Sequence, residues 1–146
     1  METISAATTM KTITGSKQEF ITIINGLFSV QELKGKEFGL VVSKNIEILR
    51  ASLKDLEEAG KPSDEFMKLA EKVNAIAEAN EEGAKEEIQQ IEKDNQELVD
   101  ARRDQMDKLA GTLKEEITID LNIILESLLP EDITAKQINM IIKITE

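Results

Sequence analysis

The stretch SDEFMKLAEKVNAIAEANEEGAKEEIQQIEKDNQELVDARRDQMDKL, residues 63–109, decides the fold of this 146-residue chain. Its apolar residues recur every three or four positions, which is the spacing of one face of a helix. An unbroken helix from Ser63 to Lys108 would be about 69 Å long, whereas a domain of this size has a radius of gyration of about 15 Å. The stretch must therefore either fold back on itself or pair with another chain.

Residues 80–83 (Asn-Glu-Glu-Gly) form the only turn-like cluster inside this stretch. We predict a helical hairpin with its tip near Gly83, an incoming limb that bends at Pro62, and limbs packed as an antiparallel coiled coil. The alternative is a straight rod that pairs between subunits. Because a thin hairpin covers its apolar stripe only partly, we also predict a homodimer or a larger homo-oligomer.

The flanking segments predict a small base for this arm. Ser16 and Glu19 have the spacing of a capping box, which predicts that a buried helix follows them. A second amphipathic helix is expected from about Glu37. Alternating apolar residues from Ile117 to Ile123 predict a strand that pairs with residues 10–14, and Thr134 with Gln137 forms another capping box before a final helix.

These elements predict an α+β fold that is mostly α: a long helical hairpin on a base with a short two-stranded sheet and a C-terminal helix. Residues 1–9 are expected to be a disordered leader, and residues 10–146 a single domain. Within that domain we assign residues 10–36 and 112–146 to the base and residues 37–111 to the helical arm.

The composition excludes several kinds of chemistry. The chain has no Cys, His, Trp or Tyr, so it cannot form a disulfide, a Cys/His zinc site, a thiol nucleophile or a histidine base. It has no phosphate-binding glycine loop and no calcium loop, and its paired acids lie on the hydrated side of the predicted helices. We therefore predict no catalytic residue, no metal site and no cofactor.

Charge is distributed unevenly along the chain. Residues 1–54 contain seven basic and five acidic residues, a net charge of +2, whereas residues 55–116 contain nine basic and 19 acidic residues, a net charge of −10. The acidic middle would repel a phosphate backbone, so duplex nucleic acid is not an expected partner. No apolar run is long enough to span a membrane, and no secretory signal is recognisable, so we expect an intracellular protein.

One basic cluster in the first third could bind an anion. It contains Lys34, Gly35, Lys36, Phe38, Lys44 and Asn45. The loop precedes a helix whose first N–H groups lack internal partners and carry partial positive charge. The competing interpretation is that the lysines confer solubility and the glycine forms a turn. Arg102 and Arg103, in the acidic arm, are expected to pair with neighbouring glutamates.

Four segments resemble a known group of proteins: residues 30–38 (VQELKGKEF), 42–45 (VSKN), 61–66 (KPSDEF) and 130–134 (PEDIT). Together they resemble short helical proteins of uncharacterised function encoded by phages and prophages, of the DUF1617-like type, over residues 10–145. The chain departs from that pattern with Phe38 in place of a tyrosine and with a short tip around Gly83. The resemblance implies a viral origin and expression in the host cytoplasm, and it supplies no activity.

Two hypotheses about function follow. In the first, a non-enzymatic oligomeric binding protein sequesters a small anionic, nucleotide-type immune signal of the host as a counter-defence, with the lysines and Asn45 on phosphate groups and Phe38 beneath a base. In the second, a virion or tail-assembly accessory protein binds another phage protein through the apolar stripe. A third possibility, mimicry of nucleic acid by the acidic arm, is weakened by the nine interleaved bases.

Overall fold

The computed structural model describes residues 9–146, and within that range the chain forms seven α-helices, two strands and two short 3-10 helices. The strands are β1 (Met10–Ser16) and β2 (Glu116–Asn122). The helices are α1 (Lys17–Val30), α2 (Lys36–Ser52), α3 (Lys54–Gly60), α4 (Asp64–Ala79), α5 (Ala84–Asp94), α6 (Gln96–Leu113) and α7 (Ala135–Met140). The predicted class, α+β with mostly helix, is confirmed.

The chain divides into two compact units. The first combines residues 9–55 with residues 112–146, and the second comprises residues 56–111. Residues 37–55, which the sequence predicts to lie in the arm, belong to the first unit in the structure, because α2 packs against α1 and β2. Of the predicted leader, residues 1–8 lie outside the described residues, and the carbonyl of Thr9 accepts a hydrogen bond from the amide of Ile123.

The two strands of the first unit pair antiparallel although a hundred residues separate them. Met10 lies opposite Asn122, and Ser16 lies opposite Glu116. This pairing confirms the predicted pairing of residues 10–14 with the alternating segment, although β2 ends at Asn122, one residue before Ile123. The inward positions of the two strands supply Ile13, Ile119 and Leu121 to the core. The chain end adds a parallel bridge between Ile124 and Thr145.

Helices α1 and α2 provide most of the remaining core. Both hydrogen bonds of the Ser16–Glu19 capping box form at the start of α1, and both bonds of the Thr134–Gln137 box form at the start of α7. In the described residues, all the buried apolar side chains belong to the first unit; the largest of those with almost no exposure include Phe20, Leu27, Phe38, Leu49, Leu121, Ile123, Ile124, Ile141 and Ile144.

The second unit is the predicted hairpin. Asn80 and Gly83 adopt left-handed backbone conformations, with φ of 46° and 86°, and the amide of Ala84 closes the turn onto the carbonyl of Glu81. α4 and α5 contact each other across this turn, so the alternative of a straight rod is wrong. The incoming limb is broken at residues 61–63, where the Ser63 side chain caps α4 by accepting from the amide of Phe66.

Most of the half-buried residues of the two limbs follow one seam. We define the seam as eleven residues, each half-buried: Phe66, Leu69, Val73 and Ile76 on the incoming limb, and Ile88, Ile91, Asn95, Leu98, Arg102, Gln105 and Leu109 on the returning limb. On the returning limb they alternate in steps of three and four, which is the repeat of a coiled coil. No described residue of the second unit is fully buried, as expected for a pair of helices without a third layer.

Candidate functional site

The basic cluster lies in the first unit, where the chain passes from α1 into α2. Gly35 precedes the first residue of α2 with φ of 136° and ψ of 109°, a conformation that favours glycine over any residue with a Cβ. No side chain caps this helix start, and the carbonyl of Gly35 accepts from the amide of Gly39 at 2.8 Å. The glycine therefore has a structural reason that is independent of any ligand.

The three lysines of the cluster are exposed. Within residues 9–146, Lys34, Lys36 and Lys44 make no ion pair or side-chain hydrogen bond, so their ammonium groups are available to an anion. Lys44 follows Lys36 by eight residues, which places it about 12 Å along α2 and about 80° around the helix axis. The cations therefore form a basic surface rather than a pocket that converges on one phosphate.

Phe38 occupies a different place from the one predicted. Its side chain is 1% exposed and lies among the core residues of α2. A ring with no accessible face cannot stack on a base, so the prediction that Phe38 lies beneath a nucleotide is wrong for this structure. Its place in the apolar stripe of α2, four residues before Val42, explains the burial.

Asn45 is also buried, with no exposed surface. Its Nδ2 donates to the carbonyl of Asn122 at 2.8 Å, and its Oδ1 accepts from the amide of Asn122, also at 2.8 Å. The amide side chain thus pairs with both backbone groups of the last residue of β2, and Asn122 Nδ2 adds a third bond at 3.3 Å. The predicted phosphate contact from Asn45 is wrong, because these bonds commit the side chain to the core.

A second polar cluster lies within the hairpin and was not among the predicted site residues. Arg102 donates through Nη1 to the carbonyl of Gly60 and to Oε1 of Gln105, both at 2.9 Å. Gln105 donates through Nε2 to the carbonyls of Ala59 and Lys61, at 2.8 and 2.7 Å. The guanidinium of Arg102 also lies over the ring of Phe66, 5.7 Å from its centroid.

These bonds supply hydrogen-bond donors to the carbonyl groups at the end of α3. The last carbonyls of a helix have no partner within the helix, and Pro62, two residues after α3, has no amide hydrogen to offer. The prediction that Arg102 pairs with a glutamate is therefore wrong, while Arg103 lies 3.7 Å from Asp100 in a weak exposed pair. The sequence signal was the placement of Arg102 and Gln105 in the apolar repeat of the seam.

Little else in the described residues suggests reactive chemistry. A hydrogen bond from Lys143, together with the capping bond to the Ser16 amide, lowers the pKa of the Glu19 carboxyl below its usual value, and both groups are exposed. In the part of the chain that the structure describes, no group of three acids could hold a metal ion, and no helix is long and apolar enough to cross a membrane.

A surface depression of about 550 Å³ lies on the hairpin between the start of α4 and the junction of α5 with α6. Its charged lining comprises Glu65, Asp94 and Glu97 against Lys93. This excess of carboxylates disfavours an anionic ligand, and none of the predicted ligand-binding residues contributes to the lining. The depression therefore gives no support to a nucleotide site.

Comparison with known proteins adds no assignment. The chain matches no family model, no curated protein and no solved structure. The resemblance to phage-encoded helical proteins therefore stays a prediction made from the four quoted segments.

Proposed function

We propose that this chain is a non-enzymatic binding protein whose partner is another protein, and that it serves as an accessory in phage virion or tail assembly. The observation that carries the proposal is the hairpin of residues 56–111, in which no described residue is buried and the apolar side chains of Met67 and Met106, outside the seam, are 48% and 43% exposed. A monomeric protein rarely retains an extended surface of this kind unless a partner covers it.

The composition supports a binding role over an enzymatic one. Enzymes that transfer protons at neutral pH use side chains whose pKa lies near 7, most often histidine, or carboxyls and lysines shifted by burial. This chain has no histidine and no cysteine. Glu19, whose pKa shift is downward, is exposed and bonded within a helix cap. The phage origin and the host cytoplasm are part of the proposal and rest on the sequence resemblance.

A second candidate function is sequestration of a small anionic nucleotide. The observation that favours it is the exposure of Lys34, Lys36 and Lys44 without ion pairs in residues 9–146, on a segment whose balance is +2. Phe38 and Asn45 no longer contribute to such a site. It would therefore bind phosphate groups through exposed lysines, which favours weak and strongly salt-dependent binding.

One complementation experiment separates the two functions. A phage deleted for this gene is supplied with the wild-type chain or with a Lys34→Glu, Lys36→Glu variant, and particle yield and particle composition are measured. If the chain is an assembly accessory, the deletion should reduce the yield of intact particles and the variant should restore it. The chain should also copurify with particles or assembly intermediates. The assembly role would be refuted by a normal particle yield from the deleted phage together with the absence of the chain from the particles and intermediates of the wild-type phage.

Calorimetry tests the second function directly. Sequestration predicts heat on titration of the full chain with cyclic nucleotides or ADP-ribose derivatives, and loss of that heat with the Lys36→Glu variant. The absence of heat with all of these ligands would exclude it, as would binding that is unchanged in the variant.

A further inference from the structure

The hairpin has two sides that differ sharply in charge. Successive residues of a helix are rotated by about 100°, so the residues that directly follow the seam residues lie on one flank and those that directly precede them lie on the other. Because the two limbs run antiparallel, the following residues of both limbs lie on the same side of the hairpin. We call this side, which includes Met67, Ala70, Val99 and Met106, the neutral side, and its opposite the charged side.

The count of charges along the two sides shows the difference. Of the eleven residues that precede a seam residue, eight are charged, among them Glu65, Lys72 and Asp94. Of the eleven that follow one, only Glu92 and Arg103 are charged, and their charges cancel. The hairpin as a whole carries eight bases and 16 acids over residues 56–111, a net charge of −8, so its acidity is concentrated away from the neutral side.

The neutral side also carries the large exposed apolar side chains of the hairpin among the described residues. Met67 is 48% exposed and Met106 is 43% exposed, while Ala70 and Val99 are half-buried beside the seam. The rest of this side consists mainly of alanines, which permit close approach of another helix, and of uncharged amide residues. Flexible methionine side chains adapt readily to an apolar partner.

We infer that the neutral side is a self-association surface, and that its occupant is the neutral side of a second copy of this chain. Two hairpins with a charge of −8 each repel one another at any acidic face, whereas contact through the neutral sides brings together no net charge. In a two-fold dimer each contact occurs twice, so Arg103 of each copy can pair with Glu92 of the other. The neutral side is thus complementary in charge to the same side of a second copy.

The available area is sufficient for a stable dimer. Residues 84–111 extend for about 42 Å at the helical rise of 1.5 Å per residue, and two helices side by side are about 20 Å across. One side of the hairpin therefore spans about 800 Å² in projection, which is of the same order as the area that each partner contributes to an interface of standard size. The surface is distinct from the seam, which the hairpin uses for its own folding.

Sedimentation velocity of the full chain tests this inference. The wild-type chain is expected at twice the 16.3 kDa mass of one chain at micromolar concentration. Met67→Glu combined with Met106→Glu is expected to raise the dimer dissociation constant by about tenfold or more, equivalent to about 1.4 kcal/mol. The matched control, Ala75→Glu combined with Ala101→Glu, adds the same charge to exposed positions on the charged side and should leave the dimer intact.

Charge exchange provides a second test that does not depend on the methionines. Arg103→Glu alone should weaken the dimer, and Arg103→Glu with Glu92→Arg should restore it, while circular dichroism verifies equal helix content in all variants. A monomeric wild type overturns the inference, as does a dimer that the control variant weakens as much as the methionine variant. A monomeric chain that still restores phage particles would leave the assembly function standing and remove only the self-association.

Discussion

Replacement of Asn45 by alanine should destabilise the protein strongly, although the sequence suggested a ligand contact for this residue. The side chain is fully buried and satisfies both the amide and the carbonyl of Asn122, each at 2.8 Å. Alanine would leave these two backbone groups without partners, while Asn122 itself is only 5% exposed. Because the groups cannot reach bulk water readily, the loss is larger than that of two exposed hydrogen bonds.

The size of the effect follows from the number of orphaned groups. A buried polar group that loses its partner costs about 1–3 kcal/mol, so two groups give a loss of about 2–6 kcal/mol in the free energy of unfolding. That range is a large part of the total stability of an ordinary domain, which is about 5–15 kcal/mol. Asn45→Asp should also destabilise, because a carboxylate accepts from the amide but cannot donate to the carbonyl.

Urea unfolding followed by circular dichroism measures the loss, and amide hydrogen exchange at Asn122 locates it. The exposed neighbour provides the control: Lys44→Ala removes a side chain with no bond in residues 9–146 and should change the unfolding free energy by less than about 0.5 kcal/mol. An Asn45→Ala variant as stable as wild type, with unchanged protection of the Asn122 amide, would refute this structural role for Asn45.

Three further perturbations test the two units. Glu19→Gln should remove a stabilising contribution that is present above the unfolded pKa of the carboxyl and is lost as the pH falls through the folded pKa, which Lys143 lowers. Thermal melts at several pH values would contradict this if the wild type and the variant lost stability in parallel. Gly26→Ala places a Cβ 2.6 Å from a side-chain carbon of α7 and should lower the free energy of unfolding by about 1–3 kcal/mol. A Cβ added at Gly111 meets no atom within 4 Å, so Gly111→Ala should stabilise its helix by up to about 1 kcal/mol. Equal denaturation midpoints for the two variants would refute the packing argument. Gln105→Ala should lower hairpin stability by about 1–3 kcal/mol, because two carbonyls at the end of α3 lose a donor, and unchanged hydrogen exchange in α3 and α6 would count against it.

Most of the fold could be predicted because its signals are local. The capping box of Ser16 and Glu19 depends on residues three apart, and the alternation from Ile117 to Ile123 belongs to a single strand. The hairpin followed from length, because an unbroken helix would be too long for the domain and Gly83 lies in the only turn-like cluster. In each case the deciding physics acts within a few residues of the pattern that reveals it.

The candidate site was harder to predict from the sequence than the fold. Whether a residue of a helix is buried in the core or exposed to a ligand depends on which other elements pack against that face of the helix. Phe38 belongs to the same stripe as Val42 and Leu49, and that stripe is buried in the structure. Asn45 lies seven residues after Phe38 and four before Leu49, so it shares their face of α2. Its partner, Asn122, is 77 residues away, and no spacing rule on one helix predicts that pairing.

The polar residues of the seam decide which surface of the hairpin a partner can use. Arg102 and Gln105 of the returning limb donate hydrogen bonds to the carbonyls of residues 59–61 at the end of α3, so these bonds join the two limbs. A partner that separated the limbs would have to replace these bonds as well as the apolar contacts, and each polar group left unpaired would cost free energy. A partner that packs against a side of the hairpin breaks none of them. Binding through the outer surface is therefore favoured over opening of the seam, and among the outer surfaces the neutral side requires the least desolvation of charge.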